Sequence, residues 1–320
     1  MSQEKNELSV QEQIEREAEI LAKQEEASVA PVTSLGKAQK FQEPAYTDEE
    51  LGADLGWKMV PLENLPSQGY FYEAGTQVAI RAATVAEIRH WSTIDDNDLL
   101  SIDEMLNFII EKCCRIKVPG KAGSYKDLKE IDRFYLIFAI RDFTFKNGEN
   151  KLFVTASNED GSEDKIEVTK DIVDYFNPDE KLLKYLNASR QCFEIRMKNG
   201  EAFDLYLPSL GTMMFIKNYV NGKRQSGQKF DKAFVKYAPF LFPDWKILTQ
   251  AAYDKAVQES YTWSVQKISV METIVSLLAS SVNPQVRYQT KEGGEQVAPL
   301  NFRGGFKSLF LISDIFGELV

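Results

Sequence analysis

The chain has 320 residues, 43% of them apolar, and a formal net charge of −10. That length fits one large domain or two, and the apolar share is enough for a packed core. The negative balance argues against general nucleic-acid binding, which needs a positive footprint for the phosphate backbone, and no run of about 18 apolar residues offers a membrane span.

In chain order, the first fifty residues stand apart, with twelve acidic and five basic residues, a balance of −7. Their polar, acidic start does not read as a secretory signal. Ile14, Ala18, Leu21 and Ala22 recur at helical spacing, but the stripe is too thin to hold a helix alone. Residues 1–55 therefore read as an acidic flexible arm, either a solvated tail or one carrying a candidate docking helix, joined by a linker-like stretch to folded chain that starts near Trp57.

In GTQVAIRAAT, Val78 and Ile80 alternate with smaller or polar neighbours as in a strand. Thr84 followed by Glu87 forms a capping-box pattern for a helix with Ile88 and Trp91. SIDEMLNFIIEKCCR predicts a strong helix, capped by Ser101, with Ile102, Met105, Leu106, Ile109, Ile110 and Cys113 on one face. A second helix is predicted over about 128–142. It carries Ile131, Phe134, Tyr135, Phe138 and Ala139 inward, with Lys129, Glu130, Asp132 and Arg133 decorating its start.

Two hairpins follow, one around Asp160-Gly161 and one around Asn199-Gly200. A short helix at PDEKLLKYL lies between them. Residues 209–282 read as mostly helical, with Tyr261, Val265, Ile268, Met271, Val275 and Leu278 on one face. The end of the chain is aromatic and broken by Gly304-Gly305. Long helices, separate hairpins and no βαβ alternation give an α+β class. The folded part divides into 56–210 with the hairpins and a mostly helical 211–320.

Chemistry finds little foothold. A nucleophile triad needs a base, and the single histidine, His90, reads as a partly buried structural residue. Cys113, Cys114 and Cys192 form neither a disulfide framework nor a metal-ligand spacing, and read as reduced structural thiols. No phosphate-loop or dinucleotide motif is present. The acidic DDND at 95–98 lacks the glycine and glutamate of a calcium loop and reads as a solvated turn. No cofactor or metal is expected. The stretch 217–237 holds six basic residues and one acidic, interleaved with Tyr219, Phe230, Phe234 and Tyr237, and places Lys223 and Arg224 on an Asn-Gly turn. It reads as an aromatic inner face and a lysine-rich outer one, suited to an acidic partner before a nucleic acid.

One stretch, LPSQGYFY at 65–72, leads to a more specific reading. Leu65, Pro66, Ser67, Gly69 and Tyr72, then Ile80, Arg81, Thr84 and Glu87, then Leu128, Asp132, Arg133, Tyr135, Leu136, Ile140 and Arg141 follow in an order and spacing that resemble the baseplate hub and hub-assembly family of T-even-type contractile-tailed bacteriophages. The resemblance covers about residues 60–210. Members of that family often carry paired cysteines in the hairpin after the second block. FVTASNEDGSE has none, and the acidic arm also lies outside the pattern.

The resemblance implies a structural, non-enzymatic protein of the virion tail, assembled in the host cytoplasm. It would build or chaperone the baseplate by binding other tail proteins and further copies of itself. Candidate partner-interface residues are Tyr70, Phe71, Tyr72, Ile14, Leu21, Lys223, Arg224, Phe302 and Phe306, because aromatic anchors bring large area with few rotamers. An intramolecular core is the competing reading for the three aromatics after the turn. The alternative functions are a soluble hydrolase using carboxylates and a phage nucleic-acid-associated protein using residues 217–236.

Overall fold

The computed structural model describes residues 56–145, 151–157, 163–168, 172–175, 180–281, 284–289, 294–302 and 304–310. The acidic segment with Ile14 and Leu21 lies outside them. The fold is α+β: eight α-helices among the described residues, with four small antiparallel sheets.

A short strand β1 (Lys58–Val60) leads into the turn at 65–70 and then β2 (Gln77–Ile80). Ala79 is as buried as Val78 and Ile80, so β2 is covered on both faces instead of alternating. α1 (Val85–Trp91) starts with the expected capping box, Thr84 with Glu87. α2 (Leu99–Cys113) begins two residues before Ser101. Asp98 is its cap, accepting from the Leu100 amide, while the Ser101 hydroxyl accepts from the Asp95 amide. Its inner face is as predicted, except that Met105 is only half-buried. The helix stops at Cys113, because Cys114 opens β3 (Cys114–Lys117), which completes the sheet β1-β2-β3.

α3 (Arg133–Thr144) differs most from its predicted form. Leu136, Ile137 and Ile140 are fully buried, as Phe138 nearly is, whereas Phe134, Tyr135 and Ala139 are half-buried. The helix is covered on most sides, so no single stripe describes it. Its charged start is not solvated either: Lys129, Asp132 and Arg133 are buried.

The first predicted hairpin is β4 (Phe153–Ser157) with β5 (Glu163–Glu167). β6 (Val173–Asp174), α4 (Glu180–Leu183) and β7 (Leu186–Asn187) lead to the second, β8 (Cys192–Arg196) with β9 (Ala202–Leu205). Gly200 takes φ +88° in that turn, a value L-residues rarely adopt.

Four helices follow: α5 (Leu210–Gln225), α6 (Lys232–Tyr237), α7 (Gln250–Ser260) and α8 (Val265–Ser281). Asn221-Gly222 lies inside α5, not at a turn. Burial of Ile216 and Val220 holds the helix through a glycine that costs about 1 kcal/mol. The stripe predicted from Tyr261 to Leu278 is divided. Met271, Val275 and Leu278 are in the core, while Tyr261, Val265 and Ile268 face solvent because α7 ends and the chain turns before α8. A hairpin that the residue pattern did not reveal, β10 (Gln285–Gln289) with β11 (Glu295–Pro299), joins β6 in a sheet.

Three apolar clusters fill the interior. The first gathers the β1-β2-β3 sheet and α1 to α3 with Val154, Val173, Val286, Phe302, Leu309 and Phe310. The second joins Phe71 and Ile131 to the β8-β9 hairpin and α8. The third packs α5, α6 and α7 around Phe234 and Tyr253.

Candidate functional site

The turn in LPSQGYFY is built around one carboxylate. Gln68 (φ 51°) and Gly69 (φ 76°) take left-handed backbone, which folds the chain back so that the Ser67 amide and the Tyr72 ring point the same way. Ser67 N donates to Asp132 Oδ1 at 2.9 Å, and Tyr72 Oη donates to Asp132 Oδ2 at 2.7 Å. The Tyr72 oxygen in turn accepts from the Lys129 amide at 2.9 Å. Lys129 is itself buried and donates from Nζ to the Leu207 carbonyl at 3.5 Å. The stretch 128–130 is pinned to 208–210 through Glu130 N to Pro208 O and Leu210 N to Leu128 O.

Burial pushes the Asp132 carboxyl up to about 6, although Tyr72 and Ser67 donate to it and Lys129 lies near. Burial likewise raises the Tyr72 phenol, with the Asp132 charge adding to it, and lowers the Lys129 ammonium. Asp132 is fully buried and both of its oxygens take donors from the chain itself. Its chemistry is that of a clamp.

A second polar cluster adjoins it. Arg133 reaches Asp103 at 2.6 Å, Glu130 at 2.7 Å and Asn107 at 3.2 Å, and Lys217 of α5 closes on Asp103 at 2.6 Å. Two carboxylates and two cations thus tie α2, α3 and α5 together. Burial opposes the charge on Arg133, but Glu130 and Asp103 outweigh it and hold its pKa up. Burial would raise Asp103, yet Arg133 and Lys217 bring it down. A third tie is Arg81 with Glu87, where two nitrogens meet two oxygens at 2.9 and 2.6 Å. Burial alone would raise Glu87; Arg81 and the Thr84 amide bring it to about 2.

The candidate interface residues scatter. Tyr70 is exposed, but Phe71 and Tyr72 are buried, Phe71 against Phe193 with ring centroids 5.5 Å apart. Phe302 is buried and Phe306 half-buried, both in the first core. Lys223 lies over Tyr219 and bonds Gln228 at 2.9 Å, and Arg224 lies over Phe230. His90 is exposed and packs edge-on against Phe108 at 4.4 Å, where partial burial had been expected.

The DDND turn works harder than its solvated reading implied. Asp98 caps α2, and Asp96 accepts from the Phe306 amide at 2.7 Å. Cys113, Cys114 and Cys192 are free and buried. Among the described residues no group of His, Cys, Asp and Glu is arranged to hold a metal, and no helix is long and apolar enough to cross a membrane.

Two surface features stand out. One is a cleft of about 320 Å³ between β1 and α3, lined by Lys58, Val60, Tyr135, Phe138, Asp142 and Tyr175. The other is the exposed stripe of Tyr261, Val265 and Ile268. It was legible as an apolar pattern, but only the end of α7 shows that it is not core.

Compared with known proteins, the chain matches no family model, no curated protein and no solved structure.

Proposed function

We propose that this chain is a non-enzymatic component of a contractile phage tail that builds or chaperones the baseplate in its hub region through protein–protein contacts. The supporting observation is where the resemblance residues fall. Ser67 and Tyr72 of the first block meet Asp132 of the second in one buried clamp, and Arg81, Thr84 and Glu87 of the first form a second internal tie. Residues that carry the likeness therefore act as a folding framework, as expected for proteins related through a scaffold and not through a reaction. Asp103 of α2 is likewise engaged internally, by Arg133 and Lys217.

On this reading the partners are other tail and baseplate proteins, met in the host cytoplasm and retained at the tail. The test is co-expression with neighbouring tail genes, followed by size-exclusion chromatography with light scattering and crosslinking mass spectrometry. Stable co-elution with tail proteins is the expected result. Absence of any tail protein from the peak and from the crosslinks would overturn the reading.

A further inference from the structure

The strand β1 is an edge of the sheet β1-β2-β3, and it borders the cleft along α3. The register fixes which of its backbone groups are free. The Arg81 amide donates to the Cys113 carbonyl opposite it, so Ala79, two residues back, also turns its backbone toward β3. Val78 and Ile80 then turn theirs toward β1, where they meet Val60 and Lys58. Met59 lies between those two, and its N–H and C=O point outward. Among the described residues neither group takes a partner. Beside this open donor and acceptor, the cleft of about 320 Å³ is walled by Val60, Phe138, Ala139 and the rings of Tyr135 and Tyr175, which meet edge-on at 5.5 Å. Lys58 stands at the rim, exposed and, among the described residues, without a carboxylate partner.

A free strand edge beside an apolar cleft and a helix suits an extended peptide: main-chain bonds hold it, and the cleft selects alternate side chains. A helical segment cannot use this edge, because its backbone bonds are internal. A residue lying antiparallel opposite Met59 satisfies both free groups at once. Its two neighbours then lie opposite Lys58 and Val60. Val60 is buried, so its face of β1 is the inner one, and side chains set opposite it enter the cleft. The neighbour opposite Val60 meets apolar walls, and the neighbour opposite Lys58 meets an unpaired ammonium, where opposite charge across strands is favourable. In an antiparallel segment the apolar residue comes first. We infer that this cleft receives an extended segment of a partner protein, paired to Met59 and reading apolar, any residue, acidic. Pro61 follows β1 and has no N–H, so the edge takes a short segment and does not template open-ended pairing. The inference does not rest on the baseplate reading, since it specifies a local pattern and not the protein that carries it.

The experiment uses the purified full chain and a fluorescein-labelled, end-capped peptide, Ser-Thr-Leu-Thr-Glu-Thr-Ser, read by fluorescence anisotropy. Saturable binding with a dissociation constant below about 1 mM is expected. N-methylation of the central threonine removes only its amide donor to the Met59 carbonyl and should weaken binding about tenfold, as should serine in place of the leucine. Met59→Pro deletes the outward N–H at an edge position that tolerates proline, and should weaken binding to a similar extent. Lys58→Glu should weaken it several-fold and favour a peptide with lysine in place of the glutamate. Thermal melts separate lost binding from lost folding in these variants, and the N-methylated peptide makes the same test on the unaltered chain. By hydrogen exchange the Met59 amide should exchange fast in the free chain and slow when the peptide is added. Absence of saturable binding would overturn the inference. So would equal binding of the N-methylated peptide, which would make the cleft a side-chain pocket only. Protection of the Met59 amide in the free chain would overturn it too, because another part of the chain would already cover the edge.

Discussion

Tyr72 does two things with one oxygen, donating to Asp132 and accepting from the Lys129 amide. Tyr72→Phe keeps the ring in the core but leaves that amide without an acceptor and Asp132 short of a donor. The expected loss is about 1–3 kcal/mol, read by urea denaturation. Glu87 yields a pH prediction. Its folded value of about 2 lies below its ordinary 4.5, so its contribution is present above pH 4.5 and is lost as pH falls toward 2. Glu87→Gln should lower stability at neutral pH and flatten the stability curve between pH 4.5 and 2, measured by denaturation across that range. Residue identity made the Thr84–Glu87 capping box legible, because both partners lie within one helical turn. The Asp132 clamp was not legible as a contact: Asp132 and Tyr72 are sixty residues apart, and a charge at a helix start ordinarily faces water. Only the ordering of the blocks hinted that they belong together.

Elements whose signals are local were read well. The two hairpins and the helices of 210–281 declared themselves through Asp-Gly and Asn-Gly turns and apolar repeats. β1 and the β10–β11 hairpin were missed because strands of three to five residues in polar company carry little periodicity. At this scale one glycine has an unexpected role. Gly211 sits in the first turn of α5, and a Cβ built there would lie 2.4 Å from the Trp245 ring. That ring is fixed in turn by its Nε1 bond to Asp127 at 2.7 Å. Glycine to alanine in a helix ordinarily stabilises by up to about 1 kcal/mol. Gly211→Ala should instead destabilise by about 1–3 kcal/mol through overpacking. A thermal melt, with Gly222→Ala as the control in open space, checks the sign.

For the whole molecule, the sequence suggested a break near residue 210, and the interior is knit across it. Val173 of β6 pairs with Val286 of β10, and Phe302 bridges to Val154. Trp91 stacks edge-on against Phe310 at 5.1 Å, and its Nε1 donates to the Phe306 carbonyl at 3.2 Å. Composition shifts cannot reveal such closures, because they depend on which distant segments finish the same core. They also set an order of events during synthesis. The core around Trp91, Val154 and Phe138 waits for residues near 310, which are made after it. Contacts spanning 215 residues slow folding, and the unfinished core keeps its apolar surface open in the interval, when aggregation competes. The first half of the fold thus keeps its core open until the segment around Phe302 and Phe310 has been made and docks.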